Sequence, residues 1–400
     1  MKRMLNTTII ASALALAISS PLMARDVASV SEARQEAARS VASLVNDPAF
    51  EEAFRAQMGK DRARLADVLA SYTPAKAHAA SDTTATLRDL DRQAIHLRGL
   101  DGAVGSLLDL HLSGDVGGQP VASTRDIWTA TIVKNMASGQ RELVAYDPAG
   151  AEHRYPANAA PAVPMLMVGS KNREATGAGI RLMNETMRRG GVQSVSPLMT
   201  ARSASAVEEV TVLTDIYLTD DHEPNTAGDA DVFAVVSGVN REGKVELVNV
   251  DMPYLDHDKQ WYTPGQDLVT WRSFAGNYVN IQLFEDDGDT DWQKIAVTII
   301  NTVGDLSLII APGDPLTGAL SKIAAKVIEA MPGKIWQNSV DYIDSFYLVD
   351  RRSHYTQKNP NIGARKQARI GLELRTFGGQ SVKDSVDKTG NAGNGGAKGL

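Results

Sequence analysis

Carboxylates crowd the second half of the chain in three groups. The first is Asp220, Asp221, Glu223, Asp229 and Asp231, and the second is Asp251, Asp256 and Asp258. The third places Glu285, Asp286, Asp287, Asp289 and Asp291 within seven residues. No lysine or arginine lies between Ser203 and Asn240, or between Ser273 and Gln293. Uncompensated carboxylates repel one another, so if these loops meet in space a cation has to join them. Calcium suits that role, because it takes about six to eight oxygen ligands and tolerates loop-borne geometry. Gly228 and Gly288 allow tight turns beside the acids. The chain has no cysteine, which also points to hard oxygen ligands. The run from Asp286 to Asp291 is not an EF-hand loop, since no Glu stands at its twelfth position and a strand precedes it.

Two other readings compete. Asp and Gly favour turns for local reasons, so each group can be a solvated surface turn. His222 and His257 each sit inside an acidic group, and two imidazoles with neighbouring carboxylates suit zinc or iron and an activated water. In that case Glu223 would move the proton of a metal-dependent hydrolase. The spacing matches no H-E-x-x-H pattern. A nucleophile elbow, a P-loop and a dinucleotide fingerprint are absent as well, and Gly177-Ala178-Gly179 is too short to count as one. Whether the protein is an enzyme is therefore left undecided by its motifs. Trp261, Tyr262, Trp271, Phe274 and Tyr278 read as core and sheet packing rather than as a sugar platform.

The elements that would hold these groups can be read from periodicity. Ala33, Ala37, Val41 and Leu44 recur on one helical face between Ser31 and Val45. Asp47 and Pro48 cap and open a second helix, and helical character continues over Phe50 to Met58, Asp61 to Ala70 and Thr84 to Leu100. His96 has no second ligand one turn away and reads as a surface or half-buried residue. Strands are expected at Ile127–Val133, Glu142–Tyr146, His153–Tyr155 and Met165–Val168, with a helix over Ile180–Arg189. Five more follow at Val210–Leu218, Asp231–Val239, Val245–Val250, Asp267–Trp271 and Tyr278–Phe284, so each acidic group follows a strand. Helices over Trp292–Ile310 and Pro315–Met331 and a strand over Tyr342–Val349 complete the pattern.

The chain as a whole adds limits. Its 400 residues, 43% hydrophobic and 22% charged, are enough for two or three domains with cores of their own. A net charge of -7 argues against nucleic acid as a partner. Lys2 and Arg3, the apolar run Ile9 to Ile18, Ser19-Ser20-Pro21 and Ala24 have the order of a secretory signal peptide over residues 1–24. Ile295 to Ala311 is too short and too interrupted for a membrane span, so no transmembrane segment is expected in the mature chain. Secreted or periplasmic localisation follows. Residues 378–400 are Gly-, Asn-, Lys- and Ser-rich and are expected to be disordered.

Thr219-Asp220-Asp221-His222-Glu223-Pro224 through Gly228-Asp229-Ala230-Asp231-Val232-Phe233 resembles a family of secreted bacterial proteins of unknown function. So do Asp251-Met252-Pro253-Tyr254-Leu255-Asp256, Tyr262-Thr263-Pro264-Gly265-Gln266 and Leu283-Phe284-Glu285-Asp286-Asp287. That resemblance implies a shared fold and no activity. The acidic loops between strands are more loosely similar to calcium-binding β-sandwiches of the synaptotagmin and protein kinase C kind, without their basic membrane-facing patch. The expected architecture is α+β. A helical region (25–113) and a small β-containing unit (114–200) precede a calcium-binding-type β-sandwich with inserted helices (201–377). The expected function is a secreted calcium-binding structural or binding protein whose partner is a protein, glycan or surface ligand. Asp220, Asp221, Glu223, Asp229, Asp231, Asp256, Asp258, Glu285, Asp286, Asp287, Asp289 and Asp291 are its candidate ligands.

Overall fold

The computed structural model describes residues 26–58, 62–74, 77–113, 127–134, 141–157, 163–170, 173–193, 208–220, 231–286, 288–304, 306, 316–331 and 340–377. The expected signal peptide and C-terminal tail lie outside these residues. Ser29 caps α1 (Val30–Ala42) by accepting from the Glu32 N–H, and Asp47 caps α2 (Pro48–Gln57) with Pro48 in its first turn. The apolar face expected for α1 is the buried one, with Ala33, Ala37, Val41 and Leu44 in the core. The next segment departs from expectation. Where Asp61 to Ala70 reads as helix, the chain makes strand β1 (Arg62–Arg64) before α3 (Leu65–Ser71). Pairing of Ala63 with Leu110 decides this, because tertiary pairing outweighs the small helix preferences of three residues.

α4 (Ala77–Leu97) leads to β2 (Asp109–Ser113), then β3 (Trp128–Lys134), β4 (Arg141–Tyr146), β5 (Glu152–Pro156) and β6 (Met165–Gly169). The first sheet has the order β1-β2-β6-β3-β4-β5 and is antiparallel except where β3 runs parallel to β6. It therefore joins strands from both sides of residue 114. α1 lies across β3, β4 and β6 and packs on α4.

α5 (Arg173–Arg189) starts a full two turns before the expected Ile180. Gly177 and Gly179 lie inside the helix, which needs Gly179 for its approach to the ring of Trp292. A Cβ on Gly179 would stand 2.3 Å from that ring.

The remaining strands form two antiparallel sheets. β7 (Glu208–Leu218) pairs with β10 (Trp261–Tyr262), β11 (Gln266–Thr270) and β15 (Ala368–Phe377), and β14 (Asn361–Ile362) adds to β15. The other sheet has the order β13-β12-β8-β9, from β8 (Val232–Val239), β9 (Val245–Asp251), β12 (Tyr278–Asp286) and β13 (Val340–Asp350). Leu213, Ile216, Ile370 and Leu372 of one sheet share an apolar core with Val232, Ala234, Val236, Ile281 and Leu283 of the other. The alternate residues Phe233, Val235 and Phe284 face away, into a larger core shared with α1, α4, α5 and two further helices. These are α6 (Trp292–Gly304) and α7 (Leu316–Ala330). The sheet carrying β8 is thus buried on both faces, which is why all eight residues of that strand are buried. Asn280 and Gln282 point to the helical side and donate to the α7 carbonyls of Leu320 and Ala324 at 2.8 and 2.9 Å. The architecture is mixed α+β, and among the described residues no helix is long and apolar enough to cross a membrane.

In an unobstructed helix, Gly→Ala stabilises by roughly 0.5–1 kcal/mol. Gly179→Ala should instead destabilise, by about 1–3 kcal/mol, because the fully buried Trp292 ring has nowhere to move. Urea denaturation of the variant checks the sign.

Candidate functional site

The third acidic group stands where β12 leaves its sheet and α6 begins. Gly288 makes the turn with φ of 82°. Asp291 is the helix cap, its carboxylate accepting from the Lys294 N–H at 2.9 Å. Asp286 is fully buried and has four donors. Its Oδ1 accepts from the Gly288 N–H at 3.0 Å and from the Thr290 hydroxyl. Its Oδ2 accepts from the Thr176 hydroxyl at 3.2 Å and from Arg98 Nη2. A carboxylate offers about four lone-pair directions, so the coordination of Asp286 is complete.

Arg98 is also fully buried and directly follows α4. Its other guanidinium nitrogens donate to the carbonyls of Ser170 at 3.3 Å and Thr290 at 3.4 Å, and its own carbonyl accepts from the Trp292 N–H. The Trp292 ring centre lies 5.9 Å from the guanidinium carbon. Arg34 of α1 reaches the same turn. It donates to the Ser170 hydroxyl at 3.1 Å and pairs with Asp289 at 3.2 Å. Ser170 in turn donates to the Gly288 carbonyl at 3.1 Å. Glu285, also buried, has Arg141 Nη2 of β4 at 4.0 Å. Three arginines from the first 141 residues therefore meet a segment that has no cation of its own.

The other groups are spread over the surface and the sheet ends. Asp231 is buried, and its carbonyl accepts from the Asp286 N–H at 3.0 Å, which joins the first group to the third. Asp220 is exposed. Asp256 pairs with Arg173 at the start of α5, and Asp258 with its neighbour Lys259. His257 is exposed, and its backbone N–H donates to the Tyr262 hydroxyl. Asp221, His222, Glu223, Asp229 and Asp287 lie outside the described residues. Among the described residues, no group of three or more His, Asp or Glu side chains is placed to hold a metal ion.

Sequence spacing missed the arginines. Arg34, Arg98, Arg141 and Arg173 look like ordinary helix and strand residues in the sequence. Only the lack of cations around the acids hinted that partners had to come from elsewhere. Asp251 stands at the end of β9. Burial raises its pKa to about 6, opposed by the Met252 N–H and by Arg181 and Arg173.

Removing one partner of a buried ion pair strands the other, so Arg98→Met or Asp286→Asn should cost about 3–5 kcal/mol. The double variant Arg98→Met/Asp286→Leu should recover part of that loss, and guanidinium denaturation of all three measures it. Asp251 supplies a pH test. The folded chain holds its proton more tightly than the unfolded chain, so its contribution to stability declines as pH rises from about 4 to about 6. The stability of Asp251→Asn relative to wild type should therefore climb across that interval, as read by urea midpoints at fixed ionic strength.

Residues 35–377 match the model of a family described as "Protein of unknown function (DUF3103)". No curated protein and no solved structure matches the chain.

Proposed function

Since the chain belongs to the DUF3103 family, whose description names no activity, we propose from its geometry that it is an exported binding or structural protein. In this reading the densest acidic group holds the fold together. The observation that carries it is the complete coordination of Asp286 by Arg98, Thr176, Thr290 and the Gly288 N–H. A carboxylate in that state offers no lone pair to a metal and no proton acceptor to a substrate. Asp289 is turned to Arg34 and Asp291 caps a helix, so those two acids have structural tasks as well.

The cation that the charge density demands is supplied from within the chain. Guanidinium suits the place, because its planar fork can reach a carboxylate and two carbonyls together. Calcium, the ion that three acidic groups suggest when taken together, then has left to it the loop between Asp220 and Asp231. The sheet of β7, β10, β11, β14 and β15 has one face in the core, and on the other Arg369 is exposed with Tyr217 and Trp261 half-buried beside it, which gives a partner a surface to meet.

Thermal melting with and without calcium tests the proposal. An ion held at about one hundred times its dissociation constant adds about 2.7 kcal/mol to the folded state. For a chain of this size that is a rise of roughly 3–4 °C. The melting temperature should move by less than about 2 °C between millimolar calcium and excess chelator, a stabilisation too small for a specific ion. A larger rise that is lost in Asp289→Asn would overturn the structural assignment of the third group. A rise lost in Asp220→Asn would place the ion on the first loop.

A further inference from the structure

The outer face of the second sheet carries an aromatic row at the end near β10. Arg369 of β15 stands directly opposite Tyr217 of β7, and Tyr217 stands directly opposite Trp261 of β10. The neighbours Ile370, Ala368, Ile216 and Leu218 all point into the core, so this row points away from it. Its members are in contact. The Arg369 guanidinium lies 5.3 Å from the Tyr217 ring centre, and the Tyr217 and Trp261 rings are 5.4 Å apart at 48°. Tyr217 and Trp261 are half-buried and Arg369 is exposed.

The row is held in place from below. Tyr262, next to Trp261, packs on the core, and its hydroxyl accepts from the His257 N–H at 2.9 Å. The Lys259 N–H donates to the Leu218 carbonyl at 2.8 Å, tying the loop before β10 to the end of β7. One step along β7 on the same face is Asp215, opposite Gly371. It accepts from Gln357 at 2.7 Å and from Thr214 at 2.9 Å, so an acid, an amide and a hydroxyl border the rings.

We propose that this face binds a saccharide bearing carboxylates, with Trp261, Tyr217 and Arg369 as the recognition residues. It rests on the binding-protein reading above and names the partner of that protein. An indole face held at the edge of a sheet matches the C–H face of a pyranose ring, an apolar surface rimmed by hydroxyls. Asp215 and Gln357 have the acceptor and donor groups that ring hydroxyls require. Arg369 has no ion-pair partner among the described residues, and its fork is shaped for a carboxylate. The same guanidinium selects against a neutral sugar of equal length only through that contact.

The test uses the full mature chain with two probes, an oligogalacturonate and a maltooligosaccharide of equal length. Titration calorimetry and tryptophan fluorescence read the binding. The oligogalacturonate should bind saturably, with Trp261→Ala weakening it by at least about tenfold. Arg369→Gln should remove the preference for the acidic sugar while leaving weak binding of both. Trp261→Phe, which keeps a ring, should fall between wild type and Trp261→Ala and covers the case in which the alanine variant does not fold. Two outcomes overturn the proposal: no saturable binding of either sugar at millimolar concentration, or binding that Trp261→Ala and Trp261→Phe leave unchanged. Neither bears on the calcium melting experiment, so failure here and failure of the structural reading are told apart.

Discussion

A carboxylate at the end of a buried strand has to find donors before that strand can be packed on both faces, and Asp286 sits where this requirement is most severe. The sheet carrying it is covered by another sheet on one side and by helices on the other. Water cannot solvate the charge there. The energetic cost of stranding it would exceed the gain from several well-packed aliphatic side chains. Arg98 after α4, Thr176 of α5, and Thr290 and the Gly288 N–H of the turn before α6 meet the need. The positions of α4, α5 and α6 relative to β12 are thereby linked to one side chain, and Arg34 of α1 joins the same turn through Asp289 and Ser170.

Around that point the molecule resolves into layers, and several buried polar side chains within them have defined partners. Asn280 and Gln282 occupy strand positions where apolar side chains would be expected, and they face α7. By donating to its carbonyls they fix where that helix lies along the strand, a registry that apolar contacts alone specify poorly. Asp344 plays a similar part at the other edge. It is fully buried and accepts backbone N–H groups from Ser345, Arg365, Gln367 and Ala368, which pins the turn before β15 to β13.

Much of the secondary structure was legible from local pattern. The cap at Asp47 and the strands from Trp128 to Tyr146 follow from residue types, and β8, β9 and β12 fall within about one or two residues of their expected limits. What local pattern could not supply was long-range pairing. β1 is three residues long and exists because β2 is there to receive it. β15 alternates apolar residues with Arg369, Glu373 and Arg375, and its partner β7 lies over a hundred residues earlier. The acidic groups stand out in the sequence as a charge problem. Their solution was hidden, because an arginine that answers an aspartate about two hundred residues away leaves no trace in spacing. The same holds for Gly177 and Gly179, whose meaning depends on Asp251 and Trp292 standing opposite.

The separation of those partners has a consequence for how the molecule is made. Arg98 and Asp286 are 188 residues apart, and Arg34 and Asp289 are 255 apart. At ordinary rates of translation the N-terminal helices would emerge on the order of ten to forty seconds before the acid that Arg98 needs. Over that interval the guanidinium of Arg98 has no counter-ion, and the core that α1 and α4 share with β8, β12 and α6 is incomplete. The first third of the nascent chain is thus held back from its final form by its own design, and completion of the native state waits on the turn after β12.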